Sequence, residues 1–142
     1  APVCCCAVAM DQREDGGLRL YSGDEDGVLK LWSAMSGQCS STLRVHVGPV
    51  TCMTLPLPLP QFPEPLAALQ DDTLEPPKEQ TIVTGSMDTL VKLIDPSSKT
   101  VHLVLKAEAP VCALMHHHPH VYVGCSDGVI RAFHMHTAMP TA

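Results

Sequence analysis

Ser22-Gly23-Asp24-Glu25-Asp26-Gly27-Val28-Leu29-Lys30-Leu31-Trp32 runs from a turn rich in Asp and Gly into a segment where side chains alternate. An Asp followed by Gly favours a tight hairpin turn, because a short carboxylate accepts bonds from nearby backbone N–H groups and Gly adopts positive φ. The period of two around that turn predicts strands, not helices. The pattern recurs twice. Residues 82–89 lead into Leu90-Val91-Lys92-Leu93-Ile94, and residues 121–128 into Val129-Ile130-Arg131-Ala132-Phe133. Asp26, Asp88 and Asp127 fall in step, as do Lys30, Lys92 and Arg131, and Trp32, Ile94 and Phe133. Thr89 stands where the other copies have Gly27 and Gly128, which predicts a less comfortable turn.

Working outward, each copy is preceded by Pro-Val and small or thiol residues: Pro2-Val3-Cys4-Cys5-Cys6, Pro49-Val50-Thr51-Cys52-Met53 and Pro110-Val111-Cys112-Ala113-Leu114. Further strands follow at residues 38–44 and 100–106, giving the order a, b, c, d in two copies. The third stops after strand c, near His136. The first two Pro-Val marks are 47 residues apart (49 − 2), near the roughly 40 to 45 of a four-stranded propeller blade. The next interval is 61 (110 − 49), because residues 56–80 form an insertion with seven prolines and five acids against one lysine. That composition cannot join a sheet ladder, so a long a-to-b loop is expected, with a short helical turn over residues 66–69.

These residues resemble the WD-repeat family over nearly the whole chain outside the insertion. The fullest match is the opening stretch followed by Ser36-Gly37-Gln38-Cys39 and residues 42–50. Trp-Asp endings are absent: Trp32 precedes Ser33, Ile94 precedes Asp95 and Phe133 precedes His134. The Gly-His pair is Val45-His46 in one copy and Lys106-Ala107 in the other. The resemblance implies an all-β partial WD40 β-propeller of about three four-stranded antiparallel blades, the third lacking its outer strand. Blade 1 would cover about residues 2–46, blade 2 about 47–107 including the insertion, and blade 3 about 108–138. It also implies a structural hydrogen-bonded network of loop His, strand b Ser or Thr, turn Asp and strand c Trp. Residue by residue this is His46, Thr84 and Asp88 in blade 2, Ser22, Asp26 and Trp32 in blade 1, and Asp127 alone in blade 3. Because propellers close with typically 4 to 8 blades, the chain reads as the C-terminal portion of a larger ring.

Composition bounds the function. The chain has 142 residues, a formal charge of −6 and 4% aromatic residues, so its core must be aliphatic, Met and Cys side chains. An acidic balance speaks against nucleic-acid binding through a basic patch. The longest apolar run near the start, residues 1–10, is half a membrane span, so no membrane partner is expected. Seven cysteines without a Cys-x-x-Cys pair read as reduced thiols, which places the chain inside the cell, in the cytoplasm (cytosol or cytoskeleton) more than the nucleus.

Four constellations each carry two readings. His116, His118 and His120 lie in the a-to-b turn of the third copy, a weak metal candidate against an ordinary polar loop, and no metal or cofactor is expected. The strand a cysteines are core residues or, remotely, a thiol centre. Asp24 and Glu25, with Val47, Ser86, Met87 and Ser126, form a candidate rim for a basic peptide on the face shared by the b-to-c and d-to-a loops. Leu57, Pro58 and Phe62 in the insertion offer a polyproline II docking segment or an idle loop. The expected function is a non-enzymatic scaffold, a WD-repeat subunit of a multiprotein assembly whose partners are other proteins and the remainder of its own propeller. The alternatives are the substrate-recognition propeller of a multidomain ubiquitin ligase and, remotely, a His/Cys metal-binding or thiol enzyme.

Overall fold

A computed structural model describes residues 1–10, 18–55, 81–96, 98–117 and 119–135. The insertion, with its expected helical turn, lies outside the described residues. Among the described residues, eleven strands form three antiparallel sheets. The first sheet is β1 (Val3–Met10), β2 (Leu18–Asp24), β3 (Val28–Ser33) and β4 (Cys39–Arg44), paired in that order. The second is β5 (Val50–Thr54), β6 (Ile82–Ser86), β7 (Leu90–Asp95) and β8 (Thr100–Lys106). The third, among the described residues, is β9 (Val111–His117), β10 (His120–Cys125) and β11 (Ile130–His134). Each sheet is one blade, and the innermost strands β1, β5 and β9 lie side by side. Among the described residues no helix is long and apolar enough to cross a membrane.

Alternation decides how the blades stack, since neighbouring residues of a strand point to opposite faces. Tyr21, Leu29 and Leu31 of blade 1 pack with Val50, Ile82 and Ile94 of blade 2 in one core. The opposite face of blade 2, carrying Val83, Val91 and Leu93, packs with Val111, Val121, Val123 and Phe133 of blade 3. Blade 2 is therefore apolar on both faces: Ile82, Val83, Val91 and Ile94 are all fully buried. Full burial of each such side chain contributes about 1.5–3 kcal/mol, so stacking rather than any single sheet stabilises the chain.

A register shift falls at the same place in all three copies, between Val3 and Cys5, between Val50 and Cys52, and opposite Gly124 and Cys125 at the start of β9. Such a bulge re-aims the extra side chain. In blade 2 that residue is Thr51, whose hydroxyl lies within bonding distance of Gly85 O and of Val111 O in the next blade.

Candidate functional site

The turns β2–β3, β6–β7 and β10–β11 and the loops β4–β5 and β8–β9 lie at one end of the strands, where three short loops are fixed by bonds to one another. His46 is the centre. Its Nδ1 lies 2.9 Å from Asp88 Oδ2 and its Nε2 lies 2.9 Å from Thr84 Oγ1. Burial, more than any neighbour, lowers the His46 pKa below its ordinary value, and the neighbouring Lys92 charge adds to this against the raising effect of Asp88. The ring is therefore neutral near pH 7, with Nδ1–H donating to Asp88 and Nε2 accepting from the Thr84 hydroxyl. Asp88 Oδ2 also accepts from Val47 N–H at 3.2 Å, and Oδ1 from Leu90 N–H at 3.0 Å. Burial raises the Asp88 pKa, but the Leu90 N–H bond and then His46 outweigh it and hold the carboxyl below the usual range. Lys92 Nζ donates to Val45 O across the same junction.

Hydroxyl, imidazole and carboxylate in a row have the order of a hydrolytic triad, yet their placement is that of a clamp. Thr84 and His46 are buried, and both ring nitrogens are engaged. What the clamp does is hold Val47 and Met87 outward: Val47 N–H is tied to Asp88, Met87 N–H donates to Pro49 O at 3.2 Å, and the two side chains are 86% and 53% exposed.

Blade 1 departs from expectation. Trp32 Nε1 donates to Ser22 Oγ at 2.9 Å, joining that expected pair. The turn, however, is held by Asp24: its Oδ1 accepts from Asp26 N–H and from Val28 N–H, each at 3.0 Å. In blade 2 these two tasks are divided, Ser86 Oγ accepting from Asp88 N–H at 3.1 Å and Asp88 from Leu90 N–H. Asp24 and Ser86 are buried, which corrects their reading as rim residues, while Asp26 is the exposed carboxylate. Glu25 and Ser126 are exposed. In blade 3 Asp127 accepts from Val129 N–H at 3.1 Å and pairs with both Arg131 nitrogens at 3.2 and 2.8 Å. Strand register aligns Val45 with Ala107, because Val28 pairs with Arg44 as Leu90 pairs with Lys106. Glu108, exposed and at φ 65°, therefore takes the place next to it that His46 occupies in blade 1.

Of the histidine candidates, His116 is half-buried and His120 stacks edge-on against His134 with centroids 5.5 Å apart, whereas His118 lies outside the described residues. Among the described residues no three His, Cys, Asp or Glu side chains are grouped to hold a metal. All seven cysteines carry free thiols. Burial, then the nearby Cys52, pushes the Cys5 thiol up to about 11, and burial raises Cys52 too, so both stay protonated and poorly nucleophilic near pH 7. Leu57, Pro58 and Phe62 lie outside the described residues.

Comparison with known proteins agrees with this geometry. No family model matches the chain. WD repeat-containing protein 86 of Homo sapiens is 49% identical over 43 residues, which is 30% of this chain and 11% of that protein. An uncharacterized WD repeat-containing protein of Schizosaccharomyces pombe is 26% identical over 140 residues, 94% of this chain and 32% of that one. The chain thus spans at most about a third of the length of these relatives. The crystal structure of the computationally designed Ika4 protein superposes with a TM-score of 0.69 over the whole chain and 71% of its own length, at 20% identity, a likeness of fold alone. Three in-register blades, a His–Thr–Asp clamp between two of them, and relatives named for the same repeat lead to one conclusion: the chain is a partial β-propeller whose repeats are similar to those of WD-repeat proteins.

Proposed function

We propose that the chain is a non-enzymatic scaffold, a WD-repeat subunit of a multiprotein assembly, that holds a protein partner on its clamped loop face. The observation that supports this most is the pair Val47 and Met87, two apolar side chains held in solvent by a buried network. Apolar area kept exposed by rigid backbone is stabilised when another surface covers it. Glu25 and Asp26 stand exposed on the turn beside them, so the partner is a segment with an apolar anchor and a basic flank. Val47→Asp combined with Met87→Asp tests this, since neither side chain takes part in the core. The expected result is a loss of at least tenfold in partner recovered by quantitative pull-down, with an unchanged melting curve; unchanged recovery would refute it. Within this reading the insertion, through Leu57, Pro58 and Phe62, is a second docking element.

A substrate-recognition role in a multidomain ubiquitin ligase is the narrower version. A RING, zinc-finger or F-box segment in the parent polypeptide would favour it. Seven thiols without a disulfide support an intracellular site of action. The cytoplasm remains our expectation, and fractionation of cells expressing a tagged chain checks it.

A further inference from the structure

On their inner side the two blade junctions close alike, a valine knob of one blade entering the seat, or socket, left by a strand b glycine of the blade before it. A Cβ placed on Gly23 would come 2.6 Å from Val50 Cγ1, and one on Gly85 would come 2.5 Å from Val111 Cγ1. On their outer side they differ. Between blades 2 and 3, Leu103, Phe133 and Met135 pack onto the core. Between blades 1 and 2 the matching places carry smaller side chains. Ser41, paired with Leu31, stands for Leu103, paired with Leu93. Ile94, paired with Ile82, stands for Phe133, paired with Val121, and Pro96 stands for Met135. Tyr21 and Leu29 are larger than Val83 and Val91, but they lie on strands b and c, inside the outermost strand.

What remains is an apolar cleft of about 280 Å³, its open mouth included, walled by Leu31, Leu43, Ile82 and Ile94. Leu43 is half-buried there, whereas Leu105 at the matching place is fully buried. Both walls are blades of this chain. The mouth carries a cation: Lys99, exposed in the β7–β8 turn, is the charged residue among those lining the cleft. Lys99 stands at φ 57°, and strand register aligns it with Gly37 of blade 1 at φ 71°. That left-handed backbone is free for glycine and strained for lysine. Strained residues of this kind collect at ligand clamps.

We propose that this cleft docks a partner peptide in which a leucine-sized side chain is flanked by acidic residues. The side chain takes the room that Leu103, Phe133 and Met135 take at the other junction, and the neighbouring carboxylate meets the Lys99 ammonium at the mouth. Burial of the anchor supplies the affinity, and the ammonium supplies the choice of sequence. Charge complementarity selects an acidic flank, because a basic one would set like charges side by side. The site is separate from the clamped loop face: Pro96 and Lys99 lie in a turn at the other end of the strands, and the partner segment it takes has the opposite charge.

A fluorescein-labelled, capped peptide with one leucine between glutamates tests the proposal by polarisation against the 142-residue chain. Saturable binding is expected, weakened about tenfold when lysines replace the glutamates. Ser41→Leu fills the cleft as Leu103 does at the other junction, and should weaken binding by about tenfold or more without lowering the melting temperature. Lys99→Gly relieves the turn, so it should fold; it should weaken the glutamate peptide about two- to fivefold and leave a glutamine-flanked peptide unchanged. No saturable binding, equal binding of the glutamate and lysine peptides, or binding insensitive to Ser41→Leu would overturn the proposal. Binding that appears only once a Gly-Ser bridge replaces residues 58–78 would overturn it too, and assign the cleft to the chain's own insertion. A dimer of the free chain that Ser41→Leu abolishes would instead assign it to a second copy and overturn it likewise.

Discussion

Gly85→Ala adds a single methyl group at the junction of blades 2 and 3. That carbon would lie 2.5 Å from Val111 Cγ1, 2.9 Å from Cys52 Sγ and 3.2 Å from Val111 Cβ. Carbon atoms in contact prefer about 3.5–4.0 Å, so the overlap with Val111 is about 1 Å. Val111 cannot swing clear: it is fully buried, its χ1 is stiff, and its backbone pairs with Cys125. Overpacking of this kind costs about 1–3 kcal/mol. Gly124→Ala is the matched control, since the nearest atom there stands at 3.6 Å, ordinary contact, and its effect should stay within about 0.5 kcal/mol. The assay is urea unfolding followed by circular dichroism at one protein concentration. Val111→Ala combined with Gly85→Ala should recover part of the loss, giving a coupling of about 0.5–3 kcal/mol. Equal stability of the Gly85 and Gly124 variants would refute the knob-and-socket account of blade stacking.

The clamp should respond to truncation and to pH. Asp88→Ala should destabilise by about 1–3 kcal/mol, because it leaves His46 Nδ1–H without its acceptor in a buried site. His46 is held below its unfolded pKa of about 6.5. Its contribution is therefore complete above that pH and lost as pH falls, because the unfolded chain takes up the proton first. Urea midpoints should decline between pH 7 and pH 5, and His46→Gln should flatten that slope. Asp88, also depressed, adds a further loss only below about pH 4. Thr89 sits at φ 76°, the left-handed conformation of Gly27 and Gly128, so Thr89→Gly should stabilise by about 1 kcal/mol in the same titration. Replacing residues 58–78 with a short Gly-Ser bridge should leave the melting temperature nearly unchanged, since loop closure depends only weakly on length.

Much of this architecture was legible because a propeller blade is a local object. Alternation, the Asp-Gly turn and the Pro-Val mark each report on a few residues, and their repetition fixed strand order without any long-range information. The His46, Thr84 and Asp88 cluster was reachable only through resemblance, since 42 positions separate His46 from Asp88 and no spacing rule joins them. Asp24 was misread for a physical reason: an exposed acid and a turn-holding acid have the same composition, and two residues in one turn could each have served. The clue was the extra acid, as blades 2 and 3 have Ser86 and Cys125 at that position. Glu108 escaped because the β8–β9 loop is one residue shorter than β4–β5, which shifts alignment by Pro against alignment by strand register. Gly23, Gly85 and Gly124 stand in step in the sequence, but what fills the first two seats and not the third is visible only when blades are stacked.

A photoreactive side chain placed at position 47 and, separately, at position 35 tests the central claim most directly. Val47 is on the clamped loop face, whereas Met35, equally exposed, lies in the β3–β4 turn at the opposite end of the strands. Irradiation in cells followed by mass spectrometry should yield a recurring protein adduct from position 47 and none from position 35. Adducts from position 35 alone, or equal yields from both, would contradict the assignment of partner binding to the loop face.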